Sequence, residues 1–341
     1  MATQWVTTSN APFSDLNKSF QAFLKTFEIA SIKLKFQYTG VHNMKNVPIT
    51  HLFGLDSFEL KHYANILAEF ADNGAKYISL PNGILKKLCY EPAFCCQLYS
   101  IFQNSTVKPF ECHGLWGGGG YDLNITDWPR RKGMIEDQKL AMEYATMFGS
   151  KTYVMHMGAA DCYSRDTTLE KMRELTIEAL EQLLPHAEKL GLIIAIENSF
   201  EPSNTPDEVL YFIDHFNHPN LGCCLDVGHM NLMAKRPEGK DPSKYVSYMN
   251  LCWKNGIVEQ ENAFEKLAPH IVTCHLHDNT AYNDDHQLPG YSAGTVDWKT
   301  LMPRIKNECP RLISLQSEVS CINYGISIRK LCETFDYLDT L

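Results

Sequence analysis

The 341-residue sequence has no cluster of basic residues: Lys and Arg number 31 against 40 Asp and Glu, for a formal charge of −9. Polyanions are held by runs of Lys and Arg that neutralise phosphates, so no nucleic-acid partner is expected, although a small phosphorylated substrate stays open. No apolar stretch approaches the length of a membrane span. Met1 to Asn10 is polar and lacks the basic-then-apolar layout of a secretion signal, so a cytoplasmic protein with no membrane partner is expected. The twelve cysteines show no CxxC spacing, and many fall inside apolar runs, as in Gly222-Cys223-Cys224-Leu225 and Thr273-Cys274-His275. Reduced thiols follow, rather than a disulfide framework or a structural zinc cluster. No GxGxxG turn follows the first apolar run, which argues against a dinucleotide-binding sheet.

What is present is 44% hydrophobic and 21% charged content, enough to bury a large core. Short apolar runs of strand length alternate with amphipathic helical stretches, the pattern of parallel strands joined by helical crossovers. Eight such runs are predicted: Ile32 to Tyr38, Ala75 to Leu80, Val107 to His113, Thr152 to His156, Leu192 to Glu197, Leu221 to Asp226, Ile271 to His275 and Leu312 to Glu318. Helix signals lie between them. Thr205-Pro206-Asp207-Glu208 reads as a capping box, Thr167-Thr168-Leu169-Glu170 opens a long helix containing Pro185 and stopping at Gly191, Asp56-Ser57-Phe58-Glu59 opens one ending near Gly74, and Asp297-Trp298 opens another. Eight βα units suit a closed α/β architecture, a (β/α)8 TIM barrel over residues 31–341. Residues 1–30, with Leu16, Phe20, Phe23 and Phe27 at helical spacing, are expected as an N-terminal helical extension. Met230 to Phe264 is an insertion after the sixth strand, a lid or an interface, and a homo-oligomer is an open expectation.

In a barrel of this kind chemistry sits where strands end. The fifth run ends Ile194-Ala195-Ile196-Glu197-Asn198, the sixth Cys224-Leu225-Asp226, the seventh Cys274-His275-Leu276-His277 and the eighth Gln316-Ser317-Glu318. Side chains alternate along a strand, so if Ile194 and Ile196 face the helices Glu197 faces the barrel axis. Three carboxylates and an imidazole brought together repel one another unless a cation neutralises them, so Glu197, Asp226, His275 and Glu318 are the expected ligands of a divalent metal. Oxygen and nitrogen ligation without thiolate fits Mn²⁺, placed first, as well as Mg²⁺, Co²⁺, Fe²⁺ or Zn²⁺.

The motifs Ile196-Glu197-Asn198, Asp226-Val227-Gly228-His229, His275-Leu276-His277-Asp278-Asn279, Asp284-Asp285-His286 through Pro289-Gly290, Gly294-Thr295-Val296-Asp297-Trp298 and Glu318 together resemble the xylose isomerase-like TIM-barrel superfamily. That sugar phosphate isomerase/epimerase group also contains endonuclease IV. The resemblance covers about residues 30–340. It implies that Glu197, Asp226, His275 and Glu318 bind the metal, that Glu197 and Glu318 exchange the proton in an epimerase, and that His113, His156 and His229 line the pocket. One departure stands out: Ala281 and Tyr282 follow His275 where ketose 3-epimerases place a substrate-binding Arg.

The expected function is therefore a metal-dependent sugar isomerase or epimerase that abstracts a proton beside a carbonyl of a small carbohydrate or cyclitol. Glu197, Glu318 and His156 are its expected catalytic groups, and His113, Trp116, His229, His277 and His286 its substrate-binding groups. His113 and His156, taken alone, read equally as packed histidines. Trp116 and the run Gly117 to Gly120 read equally as a pocket rim or a surface loop. Two alternatives share the scaffold: a lyase that begins with the same proton abstraction, and phosphodiester cleavage by an endonuclease IV-like multi-metal set that adds His113, His156, His229, Asp284 and His286 to the four ligands.

Overall fold

The computed structural model describes residues 47–117, 120–159, 162 and 167–341. Within them eight parallel strands close into a barrel in sequence order. They are β1 Ile49–Leu52, β2 Tyr77–Leu80, β3 Lys108–His113, β4 Thr152–Met155, β5 Ile193–Glu197, β6 Leu221–Asp226, β7 Ile271–Leu276 and β8 Ser314–Ser317. The fold is the (β/α)8 barrel expected from the alternation.

The first strand corrects the sequence reading. The barrel closes through Ile49–Leu52, which pairs with β8 as Ile49 with Leu315, Thr50 with Gln316 and His51 with Ser317. The run at 32–38, read as the first strand, lies outside the described residues, as does the expected extension over 1–30. The segment opening at Asp56 also differs. Two short 3-10 turns, Leu55–Ser57 and Leu60–His62, precede the helix, which runs Tyr63–Asp72.

The other helix signals act locally as their chemistry requires. Thr168 caps Leu169–Leu190 by accepting from Lys171 N, and Gly191 ends it at φ 65°, a conformation glycine adopts without a steric penalty. Thr205 caps Pro206–Phe216 through Glu208 N, but the Glu208 carboxylate takes Arg173 in two hydrogen bonds, 2.8 and 2.6 Å, instead of returning to the cap. Asp297 caps Trp298–Glu308 through Thr300 N.

Strand alternation sorts the barrel into two cores. Ile78, Leu80, Cys112, Tyr153, Met155, Ile194, Ile196, Leu225, Cys274 and Leu315 join the helix-facing core. Val154, Ala195, Cys224 and Val272 form a small separate plug. Other strand positions are polar and buried, among them Thr50, Ser79, Glu111, Thr273, Ser314 and Gln316. The insertion after β6 carries helices Val227–Met233, Ser247–Cys252 and Ala263–Leu267. It packs Leu232, Met233, Tyr245 and Met249 around Phe200 beside the strand ends. Among the described residues, no helix is long and apolar enough to cross a membrane.

Candidate active site

The four residues expected to bind a metal meet at the C-terminal mouth of the barrel. One ligand atom from each of Glu197, Asp226, His275 and Glu318 lies within 4.8 Å of every other. Strand register produces this: Glu197 pairs with Cys224, Asp226 with His275 and His275 with Gln316, so the side chains stand at similar height around the ring. Glu197 Oε2, His275 Nδ1 and Glu318 Oε2 are buried without a hydrogen-bond partner. His275 Nδ1 approaches Glu318 Oε2 to 2.7 Å, but without the angles of a hydrogen bond. Unpartnered donors and acceptors of this kind are costly in a low-dielectric interior. Ligands of one cation bonded at roughly 2.0–2.2 Å lie within such separations of one another, so the residues present fit a divalent metal.

Further buried groups orient these side chains. His275 Nε2 faces Glu111 Oε1 at 3.2 Å, which leaves Nδ1 for the carboxylate cluster. Glu111 is itself buried and accepts from the Thr273 and Ser314 hydroxyls at 2.6 Å each. Asn198 brackets Asp226: its Oδ1 accepts from Asp226 N at 2.9 Å and its Nδ2 donates to Asp226 O at 3.1 Å. The Asp226 carboxylate accepts from His229 N at 2.6 Å as cap of the next helix, and faces His277 Nε2 at 3.2 Å. His277 is fully buried and stacks on His286 with 3.9 Å between centroids. The structure thus places His277 behind Asp226 and not on the cavity wall where substrate binding was expected.

His113 ends β3 and His156 follows β4, both beside the same cluster. Their Nε2 atoms lie 3.3 Å apart, and each lies 3.6 Å from Glu197 Oε2. Trp116, 46% exposed, sits over both rings with centroids 5.8 Å from each. Burial lowers the pKa of His156, opposed in part by Glu197. Burial alone would raise Glu197 and Glu318; the facing histidines, His156 and His275 for Glu197 and His275 for Glu318, outweigh it and hold both carboxyls below the usual range. On the far side, Asp284 Oδ2 lies 3.2 Å from His229 Nε2 and 3.1 Å from His286 Nε2. Burial opposes protonation of His286, yet Asp284 beside it lifts its pKa to about 10.

These groups line a cavity of about 350 Å³ with His113, Trp116, His156, Glu197, His229, Asp284, His286 and Glu318 in its wall. Glu111, Asn198 and Asp278 were not anticipated as site residues. Asp278 is the anchor of the loop that carries Asp284 and His286: its carboxylate accepts from Gly290 N, Thr295 N and Trp298 Nε1 at 3.1, 3.0 and 2.8 Å. A polar residue two or three positions past a strand end followed by a glycine-rich loop was the signal available for it. Tyr282, in the same loop, packs on Tyr245 with 5.4 Å between centroids.

The sequence profile of the xylose isomerase-like TIM barrel family matches residues 53–318. An uncharacterized protein, y4fM of Sinorhizobium fredii, is 23% identical over 186 residues, 54% of this chain and 51% of that protein, so the match spans about half the length of each. Among solved structures, the 3-keto-D-glucoside 4-epimerase YcjR of E. coli superposes with a TM-score of 0.62 at 12% identity, covering 87% of this chain and 100% of that one. The IOLI protein with a bound zinc atom superposes with a TM-score of 0.59 at 17% identity, covering 86% and 96%. With the closed barrel, the ordered strand-end motifs and a profile match over 53–318, the chain belongs to the xylose isomerase-like TIM barrel family.

Proposed function

We propose that this protein is a divalent-metal-dependent sugar isomerase or epimerase that moves a proton at the carbon beside a carbonyl. One observation carries the reading: Glu197 and Glu318, from strands three apart around the ring, aim unpartnered oxygens at the same buried point and both line the cavity. Glu197, Asp226, His275 and Glu318 would hold the metal, with Mn²⁺ first among the candidates. Bound there, it supplies Lewis-acid polarisation of a carbonyl and its adjacent hydroxyl, which acidifies the C–H between them. Glu197 and Glu318 reach that carbon from different parts of the ring, one taking the proton and the other returning it. His156, 3.6 Å from Glu197 Oε2, steadies that carboxylate and a substrate hydroxyl. Trp116 stacks on the apolar face of the sugar. The sugar epimerases among the structural neighbours support the carbohydrate class.

The test is solvent deuterium exchange at the substrate carbon in Glu197→Gln and Glu318→Gln, after elemental analysis has established that the metal stays bound. Loss of roughly 10²- to 10⁴-fold in exchange is expected of each. Exchange at the wild-type rate in both variants sinks the two-carboxylate mechanism.

One observation favours a second cation and, with it, the endonuclease IV-like reading as the alternative. His229 Nδ1 and His286 Nδ1 lie 3.0 and 2.9 Å from the carbonyls of Asn198 and Glu318, contacts that place N–H on both Nδ1 atoms. In the neutral tautomer both Nε2 lone pairs then converge on Asp284, an arrangement satisfied either by added protons or by a metal. A metal-to-protein ratio above one together with cleavage of an abasic DNA duplex would establish this reading. A ratio of one without cleavage would remove it.

A further inference from the structure

A second cavity, about 330 Å³, opens at the same mouth between the ends of β1, β2 and β8. It shares His286 and Glu318 with the first cavity, so the two meet at the ligand cluster. Each alone is near the lower limit of small-molecule sites, which run from about 300 to 1,000 Å³. A compound whose reacting carbon lies at Glu318 has room to extend both ways. The wall of the second cavity combines an apolar face, Ile322 at 49% exposure with Leu52 and Pro81, and the polar groups Asp56, Ser57 and Asn323. Among the described lining residues of either cavity there is no Lys or Arg, while Asp56, Asp122, Glu201 and Asp284 stand in the walls. Lys86, close by, donates to the Trp116 carbonyl at 2.9 Å. The cation that both walls share, His286, already faces Asp284 at 3.1 Å, so the second cavity offers a phosphate no free positive partner and suits a ring with an apolar C–H face and neutral hydroxyls.

Resting on the sugar isomerase reading, we propose that the substrate is an uncharged, glycoside-sized compound: one sugar unit reacts over the cluster and a second neutral, hydroxylated ring occupies the cavity of Asp56, Ser57, Ile322 and Asn323. The hydroxyls bind Asp56, Ser57 and Asn323, and the ring face lies on Ile322. The second ring, and not an anionic group, supplies the remote binding energy.

Calorimetric titration of the metal-loaded protein with unreactive sugar alcohols tests this. The probes are D-glucitol, its 4-O- and 6-O-glucosyl derivatives, and glucitol 6-phosphate. At least one glucosyl-glucitol is expected to bind roughly tenfold or more tightly than glucitol, and the phosphate no more tightly. Ser57→Trp, which fills the second cavity, should bring the ratio of glucosyl-glucitol to glucitol affinity to about 1. The proposal is overturned if neither glucosyl-glucitol gains, if the gain survives Ser57→Trp, or if the phosphate gains more. Deuterium exchange separates the two readings. Exchange into sugars without a glucosyl gain overturns the second cavity's role alone, whereas a gain without exchange overturns the proton-transfer chemistry alone.

Discussion

Glu111 stands directly behind His275, its Oε1 3.2 Å from Nε2, with both side chains closed to solvent. The pair holds the imidazole so that Nδ1 faces Glu197 and Glu318 at 3.5 and 2.7 Å. A carboxylate behind a metal-binding histidine fixes its tautomer and raises its basicity. Glu111→Gln keeps the size and removes the charge, and is expected to weaken divalent metal affinity roughly 10- to 100-fold. Competition against a chelator measures it, and unchanged affinity would strip Glu111 of this role.

Trp116 is held by its backbone, which accepts from Lys86 Nζ at 2.9 Å and donates to Asn82 Oδ1 at 3.1 Å. Removing its ring therefore alters the cavity rim with little effect on the loop. Trp116→Ala should raise KM several-fold through lost apolar contact while metal content stays constant. Kinetics identical to the wild type would make Trp116 a surface residue only.

His51 gives a pH dependence of stability. Its ring packs between Phe70 and Phe335, and burial lowers its pKa from 6.5 to about 4. Between these values the unfolded chain binds a proton that the folded protein excludes, so stability is whole above pH 6.5 and falls as pH drops towards 4. At about 1.4 kcal/mol per unit the loss is of order 3 kcal/mol. His51→Gln should flatten this part of the acid limb in denaturant titrations at successive pH values. An unchanged slope would mean that other groups set it.

Gly228 follows Asp226 by two residues, and a Cβ there would lie 1.9 Å from the ring of His277. The absence of a side chain is what lets His277 reach Asp226. Gly228→Ala is expected to displace the imidazole, to destabilise the protein by about 1–3 kcal/mol and to weaken metal binding. Thermal unfolding with metal analysis checks both, and a variant with wild-type stability and metal content would contradict the packing.

Much of the barrel was legible because the rules that make it are local. Alternation of apolar runs with capped amphipathic helices gives βα units, and the period of two along a strand turns Glu197 inward once Ile194 and Ile196 join the helix-facing core. The four candidate ligands could be named because each lies at or beside the end of a strand: Glu197 and Asp226 end theirs, His275 is one residue short of the end, and Glu318 follows. Helix caps at Thr168, Thr205 and Asp297 depend on neighbours three residues away and were legible for the same reason.

Spacing within a few residues was enough to place seven of the eight strands, to set the parity that turns Glu197 inward, and to pick out Glu197, Asp226, His275 and Glu318 at the strand ends. Tertiary structure decided the rest. Ile49–Leu52, four residues long, is too short to outrank other apolar runs as a pattern; pairing with Leu315 through Ser317 on closure is what makes it the first strand. Glu111 acquires its partner across 164 positions, because β3 and β7 face each other through the barrel and not along the chain. His277 has the inward parity of a pocket residue, yet depth and the gap left by Gly228 put it behind Asp226. Parity is a property of a strand, whereas depth and partnership are properties of the closed ring, and only the ring brings Asp284 between His229 and His286.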